Sequence, residues 1–360
     1  MKTALLHYWL TGIRGGERVL KELSLLYPEA DIFTHACNRK IFNSFLSGHR
    51  ITETFISALP GARKSCQKYL PLMPAALKKL DLQGYDLIIS SESGPVKGIR
   101  KPAGARHICY CHTPMRYLWD MYQDYYNAAG LPARAAMKIF KNRLRSYDLA
   151  SAENVDYFIA NSYFVAERIQ RIYKRGSTVI HPPVDVGFFS SFPEEKQDHY
   201  LLAGHLQPYK NPRLALDVFC QNGRRLIVAG TGPLEKKLRR EYSGKNITFT
   251  GFVSDETLRS LYGSARALVF PGVEDFGIVP LEAQAAGTPV IALRAGGALE
   301  TVVEGVTGMF FDLPEPESLA DAVSEFEKTA FSPEKCRLHA ETFSSEIFRK
   351  KIRSFIDSVL

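Results

Sequence analysis

The sequence predicts an α/β protein of two doubly wound parallel-sheet domains facing an interdomain cleft. Two observations predict this. Short apolar runs closed by turn residues alternate with helical patterns in both halves, and the stretch HPPVDVGFFSSFPEEKQDHY (181–200), with its prolines, aromatic residues and charges, separates those halves. Strands that read as near-continuous apolar runs are those covered on both faces by helices, and β-α alternation places them in a parallel sheet. The length of 360 residues suits two domains at about 150 residues each.

In the first half the expected strands are TALLHYWL, DIFTHA, DLIISS, RHICYCH and YFIANS. The second half has a cleaner pattern: YLLAG (200–204), RLIVAG (225–230), ITFTG (247–251), ALVFPG (267–272), PVIAL (289–293) and GMFFD (308–312). Between these lie PRLALDVFC, PLEKKLRREY, DETLRSLYGSA and LEAQAAG, several opened by Asn, Pro or Asp as a helix start should be. After Asp312 the chain turns helical, in PESLADAVSEFEK and SSEIFRKKIRSFIDSVL. The expected domains are 1–185 and 186–342, with a helix at 343–360 packing back on the first. A ligand crevice belongs at the carboxyl ends of such sheets.

Composition excludes disorder, collagen-like repeats and a disulfide scaffold, since 45% of residues are apolar and the six cysteines form no C-x-x-C pair. A reducing compartment is the simpler reading. The start MKTALLHYWLTG runs into Gly-rich, charged sequence and reads as a first strand, not a signal peptide. No window approaches the roughly 20 apolar residues of a membrane span.

The net charge of +8 is unevenly placed. Residues 61–150 hold 15 Lys+Arg against 6 Asp+Glu, whereas 151–360 hold 24 against 27. An anionic membrane, an anionic substrate or nucleic acid would each suit this asymmetry, as would a solvated face. No nucleic-acid module is recognisable, so nucleic acid is not an expected partner. In RAAMKIFKNRLRSYDL, Arg134, Lys138, Lys141 and Arg145 fall at helical spacing on one face, with Ile139, Phe140, Leu144 and Tyr147 on others. This pattern fits docking on anionic lipid headgroups.

The motif that carries most chemistry is EDFGIVPLEAQAAGTPVIA (274–292), where Glu274 and Glu282 stand eight positions apart around a Phe-Gly turn. A turn after a strand and before a helix presents backbone N–H groups at the helix N-terminus, where a phosphate is stabilised. Two carboxylates beside such a cradle would repel the anion if they faced it, so they are expected to face hydroxyls. The segment TGIRGGERVL has Gly12, Gly15 and Gly16 at the wrong spacing for a dinucleotide fingerprint. His112 closes a strand ahead of Pro114, at the sheet's carboxyl edge. There is no D-x-D pair and no metal-ligand spacing, so no metal or other cofactor is expected.

These motifs resemble family 4 of the glycosyltransferases, retaining enzymes of the GT-B fold with two Rossmann-like domains. The likeness covers nearly the whole chain and is best over 200–312. GHLQPYKN is similar to the family's G-R-L-x-P-x-K-x segment and GTGPLEKKLR to its G-x-G-P-x-x-x-x-L. The nearest resemblance, through YCHTPMRYLWDMY and FPGVEDFGIVPLEAQAAG, is to bacterial mannosyltransferases of O-antigen and capsule assembly. The resemblance implies that Glu274 acts at the transferred sugar and Glu282 at the ribose, with the backbone of Phe276, Gly277, Ile278 and Val279 on sugar and diphosphate. It assigns Phe252 and Val253 to the base-facing side, Gly15 and Gly16 to the donor diphosphate, and Lys210 to the leaving group. His205 stands where the family usually has Arg, so either His205 is protonated beside phosphate or Arg213 substitutes for it. His112 is implied at the transferred sugar or acceptor, with Arg116, Tyr117 and Asp120 beside the acceptor.

The implied reaction moves a hexose, mannose from GDP-mannose first and a UDP-hexose next, to a lipid-linked or saccharide acceptor. The N-terminal domain is expected to bind the acceptor and the C-terminal one the nucleotide sugar. The implied location is the cytoplasmic side of an inner membrane, peripherally attached. A nucleotide-sugar epimerase on the same fold, a phosphorylase, and a silent nucleotide-sugar-binding partner of a membrane complex are the alternatives.

Overall fold

The computed structural model describes residues 1–191 and 195–360, and there the β-α alternation becomes two parallel sheets. The chain divides into two units, Met1–His181 with Arg349–Leu360, and Pro182–Phe348.

In chain order the first unit has β1 (Thr3–His7), α1 (Gly15–Leu26), β2 (Asp31–Thr34), α2 (Arg39–Phe45), β3 (Ile51–Glu53), α3 (Met73–Leu77) and β4 (Leu87–Glu92). It continues with β5 (Arg106–Cys111), α4 (Tyr122–Ala128), α5 (Leu131–Glu153), β6 (Tyr157–Ala160), α6 (Tyr163–Tyr173) and β7 (Thr178–Val179). The sheet order is β3-β2-β1-β4-β5-β6-β7. Its direction of growth reverses between β1 and β4, which pair in register from Thr3 with Leu87 to His7 with Ser91. A crevice opens beyond the carboxyl ends of two such strands, because their following connections leave in opposite directions. The five residues of β1 are all buried, with Ala4 and Leu6 packing on Phe33, Leu77 and Ile88. Helix α6 starts where the Ser162 hydroxyl accepts from Val165 N (3.0 Å), and Val165, Ile169 and Tyr173, four apart, are its buried stripe.

The second unit has α7 (Val186–Ser190), β8 (Tyr200–Ala203), α8 (Pro212–Asn222), β9 (Leu226–Ala229), α9 (Glu235–Glu241), β10 (Ile247–Gly251) and α10 (Asp255–Ser264). It goes on through β11 (Leu268–Phe270), α11 (Ile278–Ala285), β12 (Val290–Leu293), α12 (Ala298–Thr301), β13 (Gly308–Phe311), α13 (Pro316–Phe326), α14 (Pro333–Glu341) and the start of α15 (Ser345–Val359). The order β10-β9-β8-β11-β12-β13 reverses between β8 and β11. Successive β8 residues point to opposite faces: Tyr200 and Leu202 join one core with Phe219 and Val269, and Leu201 joins another with Leu268 and Phe189.

Three readings of the sequence change. The stretch 181–200 is not simply a connection, because Val186 and Phe189 of α7 are buried in the second unit's core; residues 192–194 of it lie outside the described residues. Val184 N donates to Phe343 O (2.9 Å), which stitches the stretch to the segment before α15. Strands β3 and β7, with three and two residues, are too short for any periodicity to register. Helix α14 is additional, capped by Ser332, whose hydroxyl accepts from Lys335 N. Beyond Phe348 the last helix belongs to the first unit, where Arg349 pairs with Glu22 and Phe355 lies edge-on to Tyr157.

Candidate active site

Each unit carries a cluster of polar side chains at its point of strand reversal. In the second unit the loop after β8 runs from Gly204 to Asn211 and the loop after β11 from Pro271 to Gly277. Lys210 Nζ joins them, 2.7 Å from Glu274 Oε1, with side chains 19% and 18% exposed. The small pocket there is lined by Gly204, His205, Leu206, Lys210, Gly272 and Glu274.

Missing side chains bring these loops together. A Cβ on Gly272 would stand 2.5 Å from Lys210 Cα, and one on Gly297 2.3 Å from Phe276 Cα. Such contacts lie far inside van der Waals distance, so glycine is what permits both approaches. Gly297 N also donates to Glu274 O (2.8 Å), which clamps the loop bearing the carboxylate. The Gly296-Gly297 doublet escaped sequence reasoning, although a Gly pair between a strand and a helix was a legible signal.

Gly277 caps α11 with φ +90°, and Ile278 and Val279 begin the helix, so their N–H groups are among the first-turn donors that lack a partner within the helix. Glu282 is buried in the same helix, and its Oε2 accepts from Tyr262 OH (3.0 Å). The motif therefore holds one carboxylate on a glycine-clamped loop and the other in the wall of the unit. His205 is exposed on the pocket rim. Arg213 pairs with Glu241 and donates to Tyr242 OH (3.4 Å), drawn toward α9. Phe252 is 84% exposed just after β10, an edge strand, and Val253 is half-buried against the unit's core.

In the first unit, Ser91 at the end of β4 lies between two imidazoles, with its Oγ 2.9 Å from His112 Nε2 and 3.3 Å from His7 Nδ1. Glu17 Oε1 is 3.6 Å from His7 Nε2, and Glu17 Oε2 accepts from Arg14 N (2.9 Å) at the start of α1. Gly15 opens that helix, and a Cβ on Gly16 would stand 3.1 Å from Tyr8 OH and 3.3 Å from His112 Nε2. Burial, with a smaller contribution from His7, lowers the His112 pKa to about 3. The ring is therefore neutral near pH 7, fit to exchange hydrogen bonds but not to supply fixed charge.

The residues after His112 divide. Arg116 is half-buried, and burial, reinforced by Asp148 and Glu92, pushes the Tyr117 hydroxyl pKa well up. Asp120 is gripped by two arginines of α6, Arg168 Nε (2.6 Å) and Arg171 Nη2 (2.7 Å). Trp119 donates to Asp148 Oδ2 (2.7 Å), part of a buried charge cluster that periodicity did not reveal. In that cluster Lys97, 1% exposed, pairs with Asp148 and lies 3.1 Å from Glu92 Oε1. Burial alone would lower the Lys97 pKa, but Asp148 and Glu92 hold it well above its usual value.

The basic residues of α5 do not present one outward face. Arg134 donates to Tyr126 O (2.9 Å), Lys141 stands 3.9 Å above the Tyr122 ring, and Arg145 donates to Leu118 O (2.6 Å) while covering Trp119. The aromatic residues of α4 and of the segment before it draw these cations onto the protein. Lys138 and Arg143 remain exposed near Ile139, which is 72% exposed. No described helix is long and apolar enough to cross a membrane, and among the described residues no group of three His, Cys, Asp or Glu could hold a metal ion.

A family model described as Glycosyltransferase Family 4 matches residues 13–188, and one described as glycosyl transferases group 1 matches 186–343. Among curated relatives, the alpha-1,3/1,6-mannosyltransferase ALG2 of Mus musculus is 25% identical, over 97% of this chain and 94% of its own. The GDP-mannose-dependent alpha-(1-6)-phosphatidylinositol dimannoside mannosyltransferase of Mycobacterium tuberculosis is 31% identical, over 61% of this chain and 59% of its own. The crystal structure of Anabaena Alr3699/HepE in complex with UDP superposes with a TM-score of 0.74 at 18% identity, covering 99% of this chain and all of the other. That likeness is one of fold.

Proposed function

Since the chain belongs to glycosyltransferase family 4 and has the GT-B fold, we propose that it transfers mannose from GDP-mannose, with retention, to a lipid-linked or saccharide acceptor in surface-polysaccharide assembly. The observation that carries this reading is the Lys210–Glu274 pair beside the N-terminus of α11. A nucleotide diphosphate supplies the negative charge that Lys210 and first-turn N–H groups attract, and its sugar supplies hydroxyls for Glu274. Glu282, oriented by Tyr262, accepts from the ribose. The family resemblance assigns Gly15 and Gly16 to the diphosphate, and Phe252 and Val253 to the side of the base.

In the step itself the anomeric carbon–phosphate oxygen bond breaks, and the acceptor oxygen bonds that carbon on the same face. The acceptor proton passes to the leaving phosphate oxygen, so no side chain need act as a full base. His112 hydrogen-bonds a sugar hydroxyl, and Arg116 and Tyr117 shape the acceptor side. Asp120, held by Arg168 and Arg171, braces that segment. Lys210 and helix N–H groups take the place of a metal ion at the diphosphate.

The mannosyltransferase relatives support mannose as the sugar, and a UDP-hexose stays the second donor. We further propose that the protein works on the cytoplasmic side of an inner membrane, held peripherally through the exposed Lys138–Ile139–Arg143 edge of α5.

Purified protein incubated with radiolabelled nucleotide sugars and lipid-linked acceptors tests the reading. GDP is expected to raise the melting temperature more than UDP, because a ligand that binds only the folded state stabilises it. A larger rise with UDP would reassign the donor, and sugar release without any acceptor would favour an epimerase. Loss of binding to anionic vesicles in a Lys138→Glu/Arg143→Glu variant is the expected membrane result; unchanged binding would remove the proposed edge.

A further inference from the structure

We propose that Glu17, acting through His7 and Ser91, fixes the tautomer of His112, with the proton on Nε2 and Nδ1 left as a hydrogen-bond acceptor. The inference rests on the reading that His112 meets a sugar hydroxyl, and it adds three positioning residues to that site.

Ser91 has a single hydroxyl hydrogen and lies within reach of two ring nitrogens, His7 Nδ1 (3.3 Å) and His112 Nε2 (2.9 Å). When both rings are neutral it donates to one and accepts from the other, so the two tautomers are locked together. Geometry at Ser91 alone leaves two solutions.

Glu17 decides between them. Its Oε2 accepts from Arg14 N (2.9 Å) in the first turn of α1, where the helix dipole attracts an acidic side chain. Its Oε1 faces His7 Nε2 at 3.6 Å, with the side chains 2% and 0% exposed. A ring lone pair facing a carboxylate at so buried a place is repulsive, whereas an N–H there is attractive. His7 therefore carries its proton on Nε2, and its Nδ1 accepts from the Ser91 hydroxyl. The Ser91 oxygen then accepts from His112 Nε2–H. Gly16 lets α1 lie against this chain, since a Cβ there would be 3.3 Å from His112 Nε2 and 3.5 Å from His7 Cε1. The ring thus offers a sugar an acceptor nitrogen, and the opposite tautomer would offer it an N–H.

The test reads the tautomer directly. In protein labelled with ¹⁵N-histidine, long-range ¹H–¹⁵N correlation at pH 8 is expected to show His112 protonated at Nε2. Glu17→Gln keeps an oxygen for Arg14 N but turns an NH₂ toward His7. This should invert the relay, move the His112 proton to Nδ1 and lower kcat on the order of 10- to 100-fold with donor KM little changed. If that variant does not fold, Ser91→Ala is the second probe, and a mixture of His112 tautomers is expected there. A wild-type His112 protonated at Nδ1, or a tautomer indifferent to both substitutions, overturns the proposal. An inverted tautomer in Glu17→Gln together with normal transfer by His112→Ala supports the relay and overturns only the catalytic reading of His112.

Discussion

Lys210 and Glu274 are 64 residues apart in sequence, yet Nζ and Oε1 lie 2.7 Å apart where the loops after β8 and β11 meet. Neither helix periodicity nor strand alternation places them together. The meeting follows from the strand order, which sets β8 beside β11, and from Gly272, whose lack of a side chain lets one loop rest on the Lys210 backbone.

Removing either partner should disable transfer while the protein still folds. Glu274→Ala and Lys210→Ala are each expected to lower kcat by about 100-fold or more, as does removal of one charge-stabilising group elsewhere. The pair is about four-fifths buried, so stranding one partner also lowers stability, and turnover is to be compared under conditions where urea titration shows each variant fully folded. Near-normal turnover of Glu274→Ala with the preferred donor would refute its assignment to the sugar.

The glycine clamp should be intolerant of a methyl group. Gly297→Ala forces a Cβ to within about 2.3 Å of the Phe276 backbone, and overpacking of this kind costs about 1–3 kcal/mol. Gly176→Ala, where nothing stands within 4 Å, is the matched control and should be close to neutral. Equal urea midpoints for the two variants would contradict the clamp.

Lys97→Met should be among the most destabilising single changes in the first unit, because it strands Glu92 and Asp148 without their buried cation. Breaking a buried pair in this way costs about 3–5 kcal/mol. Burial first, and Asp148 next, already raise the Glu92 pKa against the pull of Lys97. Without Lys97 it rises further, so the folded variant binds a proton that the unfolded chain releases, and the deficit should shrink as pH falls from 7 toward 5. Chemical denaturation at several pH values would measure this; a deficit independent of pH would go against the assignment.

Acid should weaken the first unit through its histidines. Burial lowers His35 to about 3, His107 to about 4 and His112 to about 3. Between those values and the ordinary 6.5 the unfolded chain binds more protons, so stability is lost as pH falls through this window. Each group steepens the loss by up to about 1.4 kcal/mol per pH unit. His107→Gln is expected to flatten the melting temperature against pH between 4 and 6.5, and an unchanged slope would contradict a neutral buried His107.

Much of the architecture was written in local pattern. Runs such as LLAG and VIAL are apolar on both faces and alternate with helical patterns, which a helix-covered parallel sheet satisfies, and the Glu274–Glu282 motif was readable because strand, turn and helix follow in a few residues. Elements of two or three residues, such as β3 and β7, carry too little pattern to be read. Helix α7 hid in a stretch whose prolines and charges suggested a connection.

What the sequence determined by itself is therefore the class of fold, the family and the positions of its polar motifs, because these depend on spacing along the chain. The tertiary structure alone decided which partners those motifs keep. It turned Arg213 toward Glu241, bound Asp120 between two arginines, folded the cations of α5 onto aromatic rings, and assembled Glu17, His7, Ser91 and His112 from four separate segments. Charge pairing and hydrogen-bond direction act through space over a few ångströms, and only the folded chain sets those distances.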